Sequence, residues 1–315
     1  MLDGPAAVST MKQQEIREIV VCLPKGRTLF PYYRDRYAAL LLSWVFDETV
    51  TVAQVKRSRY SGLLAKPAIS EAIARRGDGI IDSQLLSMIW HESHEQFLLT
   101  LDSWGGEERA WQQTSRAGHN LVLQINLHDG YRRWFERVVP DDQKWLFKNY
   151  GHPVLQPRDN GFYRQTLGWV RIDVDLGTGE ALLEEVQSDW LRDMRTLLRW
   201  HSAASADEGD VAVRIYCETM LTGFGKIWSE LLMSAALWFV REELGVRNVW
   251  FHTYESGCEL KRIKGARPPK SLYTSLPRKF CYTATRQPPE FLQRDKSFRR
   301  SVRGKPAPKW YHLQL

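Results

Sequence analysis

Cysteine is scarce in this chain. Cys22, Cys217, Cys258 and Cys281 are the only four, far apart and without a CxxC pair. No disulfide framework is expected, and reduced thiols in a cytoplasmic protein are the simplest reading. Long apolar runs are lacking too. The longest, Tyr37 to Phe46, is interrupted and flanked by charge. It falls short of the roughly 18 apolar residues of a spanning helix, so no membrane partner is expected. The opening stretch MLDGPAAVSTMKQQEIRE has no apolar segment behind a basic cluster, so no secretory signal is expected either. There is no GxSxG, and no cysteine lies near a histidine in a known nucleophile pattern.

What is present is ordinary globular material. Hydrophobic residues make up 43% and charged residues 26% of 315 residues. A chain of this size buries a large core without disulfides or metal, and it accommodates one large or two ordinary domains.

Acidic residues are nearly absent from one region. From Lys261 to Leu315 there are fifteen Lys/Arg and two Asp/Glu, so 15 − 2 = +13. The whole chain carries +7, leaving 7 − 13 = −6 for the first 260 residues. Such a local excess points to an anionic partner through 261–309, either nucleic acid or a phosphorylated cofactor. A solvated basic tail is the alternative.

Hydrophobic spacing predicts a helical first half. Tyr33, Tyr37, Leu40, Leu41, Trp44 and Val45 mark one helix face. Further helices are expected over 50–64, over 68–76 and, capped by Asp82 or Ser83, over 83–101. From His119 the pattern becomes mixed. Strands are expected over 120–128, 168–176 and 180–187, the last two joined at Gly177-Thr178-Gly179 as a hairpin. Helices are expected over 131–138, 190–201 and 228–244, and further strands over 211–219, 249–254 and 280–285. The expected fold is mixed α/β, α+β in type. It comprises a helical region 1–118, an α/β domain 119–286 and a basic, Pro-containing tail 287–315.

Several constellations carry possible chemistry. Thr222-Gly223-Phe224-Gly225-Lys226 lies between an expected strand and an expected helix. Glycines there let backbone approach a phosphate, and the helix N-terminus and Lys226 add positive potential. An ordinary turn is the plainer reading. Glu184-Glu185-Val186-Gln187-Ser188-Asp189-Trp190 should place Glu185, Gln187 and Asp189 on one side of a strand, with Val186 opposite. That is a site edge with Glu185 as a general base, or else a helix cap by Ser188 or Asp189 beside solvated glutamates. Glu218 is a second candidate base. Tyr273 lies in a loop. His91 and His94, three apart, make a poor metal pair, so no metal is expected. Lys309-Trp310-Tyr311 reads either as a base-stacking element or as a docked anchor.

The stretch from Gly168 to Cys281 resembles the GNAT N-acetyltransferases in its order of strand, glycine-containing loop, helix, strand and later tyrosine. The resemblance implies a GNAT-like sheet binding acetyl-CoA or another acyl-CoA. Thr222, Gly223, Phe224, Gly225 and Lys226 would then cradle the pyrophosphate, and Tyr273 would protonate the departing thiolate. Glu185 or Glu218 would deprotonate the acceptor amine. The sequence departs from that pattern at Met220, at Pro277-Arg278-Lys279, and in the helix expected at 190–201. The segment Glu184–Trp190 also resembles Glu-Glu-x-Gln-Ser-Asp-Trp segments in modules of large phage and conjugative-element proteins, which implies no particular reaction. The function expected is acyl-CoA-dependent N-acyl transfer, with a non-catalytic nucleic-acid- or protein-binding module as the alternative.

Overall fold

A computed structural model describes residues 11–22, 28–46, 48–90, 94–106, 113–149, 151–155, 164–202, 207–265 and 267–315. The fold is mixed α/β, built on one eight-stranded sheet with flanking helices. The strands are β1 (Thr28–Tyr32), β4 (Glu95–Gly106), β5 (Gly118–Asn126), β6 (Thr166–Asp175), β7 (Glu180–Gln187), β8 (Asn248–His252), β9 (Thr283–Thr285) and β10 (Trp310–Gln314). A separate two-stranded ribbon joins β2 (Val50–Thr51) to β3 (Ile80–Ile81). The large sheet has the order β1-β4-β5-β6-β7-β8-β10-β9. Every neighbouring pair in it is antiparallel except β7 and β8. Strands β1, β5, β7, β8 and β9 therefore run the same way and end at one edge of the sheet.

Side-chain alternation divides the sheet into two unlike faces. Leu121, Leu123 and Ile125 of β5, Val170, Ile172 and Val174 of β6, and Val249 and Phe251 of β8 face the main apolar core. The helices Arg36–Val45, Asp189–Ser202, Glu208–Phe224 and Trp228–Trp238 supply the other side of that core. The opposite face is largely polar. Thr100, Gln124, Asn126 and Thr166 form a hydrogen-bonded row across it, with links of 2.6 to 2.8 Å. Arg171, Asp173, Glu184 and His252 continue the row as buried groups. A smaller apolar cluster of Leu182, Trp250, Leu260, Phe291, Leu292, Phe298 and Trp310 covers the β8–β10 end of this face.

Three expected elements take another form, one of them the helix expected over 50–64, which is the strand β2, the short helix Val52–Lys56 and the 3-10 helix Ser61–Ala65. Residues 83–101 were expected as one helix, but only Ser83–Ser87 is helical, with Asp82 accepting from the Leu85 N–H. Glu95 onward is β4, where Phe97 and Leu99 point to the core at the two-residue strand period. Pairing with β1 and β5 on both sides outweighs the helical reading of this run. The strand expected over 211–219 is the middle of the helix Glu208–Phe224, started by an Asp207 cap. Its buried residues, Val213, Tyr216, Cys217, Met220 and Phe224, follow the helical period. β-branched composition misled here, because burial on one helix face accommodates Val and Ile as readily as a strand does.

The 287–315 segment, expected as a tail, folds into the helices Glu290–Arg294 and Lys296–Val302 and the strand β10, which lies between β8 and β9. Trp310 is fully buried, so it is an anchor and not an exposed stacking platform. The N-terminal region likewise contributes β1 to the same sheet. Cys217, Cys258 and Cys281 are free thiols. No helix among the described residues is long and apolar enough to cross a membrane.

Candidate functional site

The hairpin β6–β7 pairs in register from Asp175–Glu180 to Ile172–Leu183, then shifts, so that Arg171 faces Glu185. The shift is a β-bulge at Glu184. A bulge inserts one residue and re-aims the side chains beyond it. Leu183 and Val186 both point to the apolar core. Glu184, Glu185 and Gln187 therefore share the polar face. The expected juxtaposition of Glu185 with Gln187, opposite Val186, is present, and the bulge adds Glu184 to it.

The parallel ladder between β7 and β8 runs from Glu180–Asn248 only to Leu183–Phe251. It stops at the bulge, while β7 continues to Gln187. The chain after β8 instead enters the helix Tyr254–Leu260, capped by Thr253. That helix ends by delivering Lys261, which is buried, to the gap. Its ammonium donates to the Glu184 carbonyl at 2.8 Å and lies 4.0 Å from a Glu185 carboxylate oxygen. Arg171 binds the same Glu185 carboxylate from β6. The Tyr273 ring stacks on Phe251 at 5.3 Å, and Lys261 lies 6.0 Å from its centroid.

Charge among these groups is tightly balanced. Burial alone would raise the Glu185 carboxyl, but Arg171 and Lys261 hold it below the usual carboxylate range. Burial would lower Lys261, yet Tyr273 and Glu185 keep its ammonium above the ordinary lysine value. Burial pushes the Tyr273 hydroxyl up, against the opposing effect of Lys261, so it keeps its proton at neutral pH. Glu184 forms a second layer. Burial opposes its ionisation, but His252, Lys261 and Arg171 hold it down to about 2. Burial in turn keeps His252 neutral, with its pKa lowered despite Glu184. The His252 Nε2 lies 2.9 Å from Glu184, and Ser115 donates to Glu184 through both N–H (2.7 Å) and Oγ (3.0 Å). Ser115 and His252 both meet the carboxylate at one edge, whereas an activated serine needs its histidine held from the far nitrogen by the acid. This trio therefore fixes the floor of the site. Arg116 pins the adjacent loop through two 2.8 Å bonds to Asp173.

A second group borders the first. Asp189, at the start of the helix Asp189–Ser202, is 1% exposed. It accepts from Trp169 Nε1 at 2.9 Å and from Gln187 Nε2 at 2.5 Å, and pairs with Arg192 at 2.9 Å. Its remaining partner is His152 Nδ1, at 2.9 Å. With Nδ1 turned to Asp189, Nε2 is the outward ring nitrogen of a side chain 37% exposed. The Asp189 hydrogen bond raises His152 against the lowering effect of burial. Asp189 is lowered: burial opposes this, but His152, Trp169 and Gln187 prevail. Trp169 stacks on Trp104 at 6.4 Å, and Arg171 lies over Trp104 at 5.2 Å, which joins the two groups.

The structure thus brings together Glu185 and Tyr273, with Gln187 and Asp189 alongside. It leaves Glu218 apart, exposed on the helix Glu208–Phe224. Thr222, Gly223 and Phe224 form the last turn of that helix, and Gly225-Lys226 lead into the helix Trp228–Trp238. The expected strand-to-helix phosphate loop is therefore a helix-to-helix joint, in which the preceding element turns carbonyls rather than a strand end toward the joint. A Cβ on Gly225 would lie 2.3 Å from the Leu221 carbonyl oxygen, so this glycine serves the chain's own turn. A Cβ on Gly223 would meet nothing within 4 Å. It borders a separate cleft of about 880 Å³ shared with Lys66, Glu95, Tyr131 and Lys226. His91 lies outside the described residues. Among the described residues, no group of three or more His, Cys, Asp or Glu is placed to hold a metal ion.

Sequence reasoning missed His152, Arg171, Ser115, His252 and Lys261. Arg171 had a legible signal, since Arg171 and Asp173 alternate with Val170, Ile172 and Val174 in one hairpin strand. The others come from distant segments, and nothing local links them. No protein-family model, curated protein or solved structure matches the chain.

Proposed function

We propose that the protein is an acyl-CoA-dependent N-acyltransferase whose site lies where the β7–β8 ladder stops. One observation carries this reading. Residues 185–187 pair with β6, but among the described residues the β8 ladder ends before them, at Leu183–Phe251. A strand edge that its neighbouring strand does not cover suits an extended, amide-bearing chain. The pantetheine arm of coenzyme A is such a chain. Its thioester end would meet Lys261 and Tyr273, the cation and the protonated hydroxyl at this point.

The roles follow from charge state. Glu185, held ionised between Arg171 and Lys261, is a positioning anion, since a carboxylate so stabilised is a weak base. His152 takes over the role first assigned to Glu185 or Glu218. Its Nε2 accepts the proton of the acceptor amine, and Asp189 stabilises the imidazolium. The amine nitrogen bonds to the thioester carbon, the C–S bond breaks, and Tyr273 gives its proton to the departing sulfur. Lys261 supplies positive potential beside the developing charge.

Titration calorimetry with coenzyme A and acetyl-CoA tests the reading. Saturable binding that weakens in Lys261→Met supports it. A folded protein giving no heat with either ligand at high micromolar concentration overturns it.

A further inference from the structure

The basic C-terminal segment is a built surface. Of its fifteen Lys and Arg, all but Lys261 and Lys279 are exposed. The helices Tyr254–Leu260 and Lys296–Val302 each contribute, through Leu260 and Phe298, to the apolar cluster around the fully buried Trp310. A 2.7 Å ion pair from Lys305 to Glu259 adds a link. Exposed Arg262 follows the first of these helices directly, exposed Arg299 and Arg300 lie on the second, and exposed Arg303 follows it. The segment's own acids do not neutralise these groups. Asp295 caps the second helix by accepting from the Phe298 N–H at 2.6 Å, and Glu290 pairs with Arg294.

We infer that this face binds the phosphate backbone of nucleic acid. Two or three cations suffice for a small anion, whereas an array carried by two helices and their flanking loops matches a polymer. Duplex DNA carries about one charge per 1.7 Å of axis, and binding to it releases counterions for each phosphate neutralised. Phe298 and Trp310 hold the guanidinium groups on a fixed scaffold, so docking does not require a tail to become ordered. The inference is independent of the acyl-transfer reading, because none of these side chains enters the site at β7.

Fluorescence anisotropy of the whole chain with a labelled DNA duplex and a labelled single-stranded RNA, titrated with salt, tests it. Binding should weaken linearly in log K against log salt. Arg299→Ala combined with Arg300→Ala should reduce the slope by about two, since each lost phosphate contact removes about one. Both side chains are exposed, and circular dichroism should show the fold intact. The control Arg137→Ala removes an exposed charge from another part of the chain and should leave the slope unchanged. The inference is overturned if neither probe binds at low salt. It is equally overturned if the double variant binds like the parent or the control lowers the slope as much as the double variant. The lowered slope in the double variant, with a coenzyme A titration like that of the parent, would separate this face from the acyl-transfer site.

Discussion

Lys261 donates its ammonium to the main-chain carbonyl of Glu184, 2.8 Å away, at the one position where β7 departs from its register with β6. A bulge leaves a main-chain group without its regular ladder partner, and here a buried cation takes that place. The same cation balances Glu185 and approaches Tyr273. One side chain thus joins a backbone irregularity to the charge balance of the site.

Replacing that cation should be costly. Lys261→Met leaves the Glu184 carbonyl and the Glu185 carboxylate short of a buried partner. Removing one member of a buried charged set typically costs about 3–5 kcal/mol. Urea denaturation should show that loss, with Glu185→Gln in the same background recovering part of it. A Lys261→Met variant as stable as the parent would disprove the role of the cation.

Tyr273→Phe separates packing from chemistry. The stacking on Phe251 survives, so the melting temperature should change little. If Tyr273 is the acid, acyl transfer should fall by about 10²–10⁴, the usual size of a positioned acid's contribution. Undiminished turnover would remove Tyr273 from the mechanism and leave it a core residue.

The His152–Asp189 pair gives a signed pH dependence. His152 is raised, so its contribution to stability is complete below its unfolded pKa and is lost as pH rises through the folded value. Asp189 is lowered, so its contribution is present above its unfolded pKa and is lost as pH falls through the folded value. The stability gap between the parent and Asp189→Asn should therefore be widest between about pH 4 and 6.5, the two unfolded values, and narrow on either side. An NMR titration should also show the His152 pKa falling in Asp189→Asn. A gap independent of pH would mean that Asp189 acts only through Trp169, Gln187 and Arg192.

Gly223→Trp tests which region receives the coenzyme. The position is open, so the indole should enter the 880 Å³ cleft without disturbing the helix. Replacing a helical glycine also removes a propensity penalty of a few tenths of a kcal/mol or more. Coenzyme A binding should persist, because the proposed site is at β7. Its loss in a folded Gly223→Trp variant would move the coenzyme to the Thr222–Lys226 joint.

Truncation after residue 286 should not behave as the removal of a tail. It deletes β10, and with it the fully buried Trp310 and Leu313, from between β8 and β9. Loss of the cooperative unfolding transition is expected. A truncated chain that still unfolds cooperatively near the parent's midpoint would contradict this.

The sequence by itself determined the elements whose patterns are local. The β6–β7 hairpin, β5, the helix after Asp189 and the helix from Trp228 follow from periodicity and from a Gly-containing turn, because their side-chain pattern already separates one face from the other. It also placed Glu185 and Gln187 on one strand face, since a strand's two-residue repeat needs no tertiary information, whereas Asp189, expected on the same strand face, opens the next helix and meets Gln187 by a side-chain hydrogen bond. Only the tertiary structure decided the rest. Val211–Thr219 has strand-like composition, but packing on the sheet selects a helix with its buried side chains at three- and four-residue steps. Glu95–Gly106 is a strand because β1 and β5 pair with it on both sides. The basic segment became part of the fold because β10 completes a sheet whose neighbouring strand begins more than sixty residues earlier. Lys261, His152 and His252 joined the site because chain crossing, and not spacing, brings such groups together. A charge count shows how much positive charge the final segment carries; it does not show that Lys261 would turn inward.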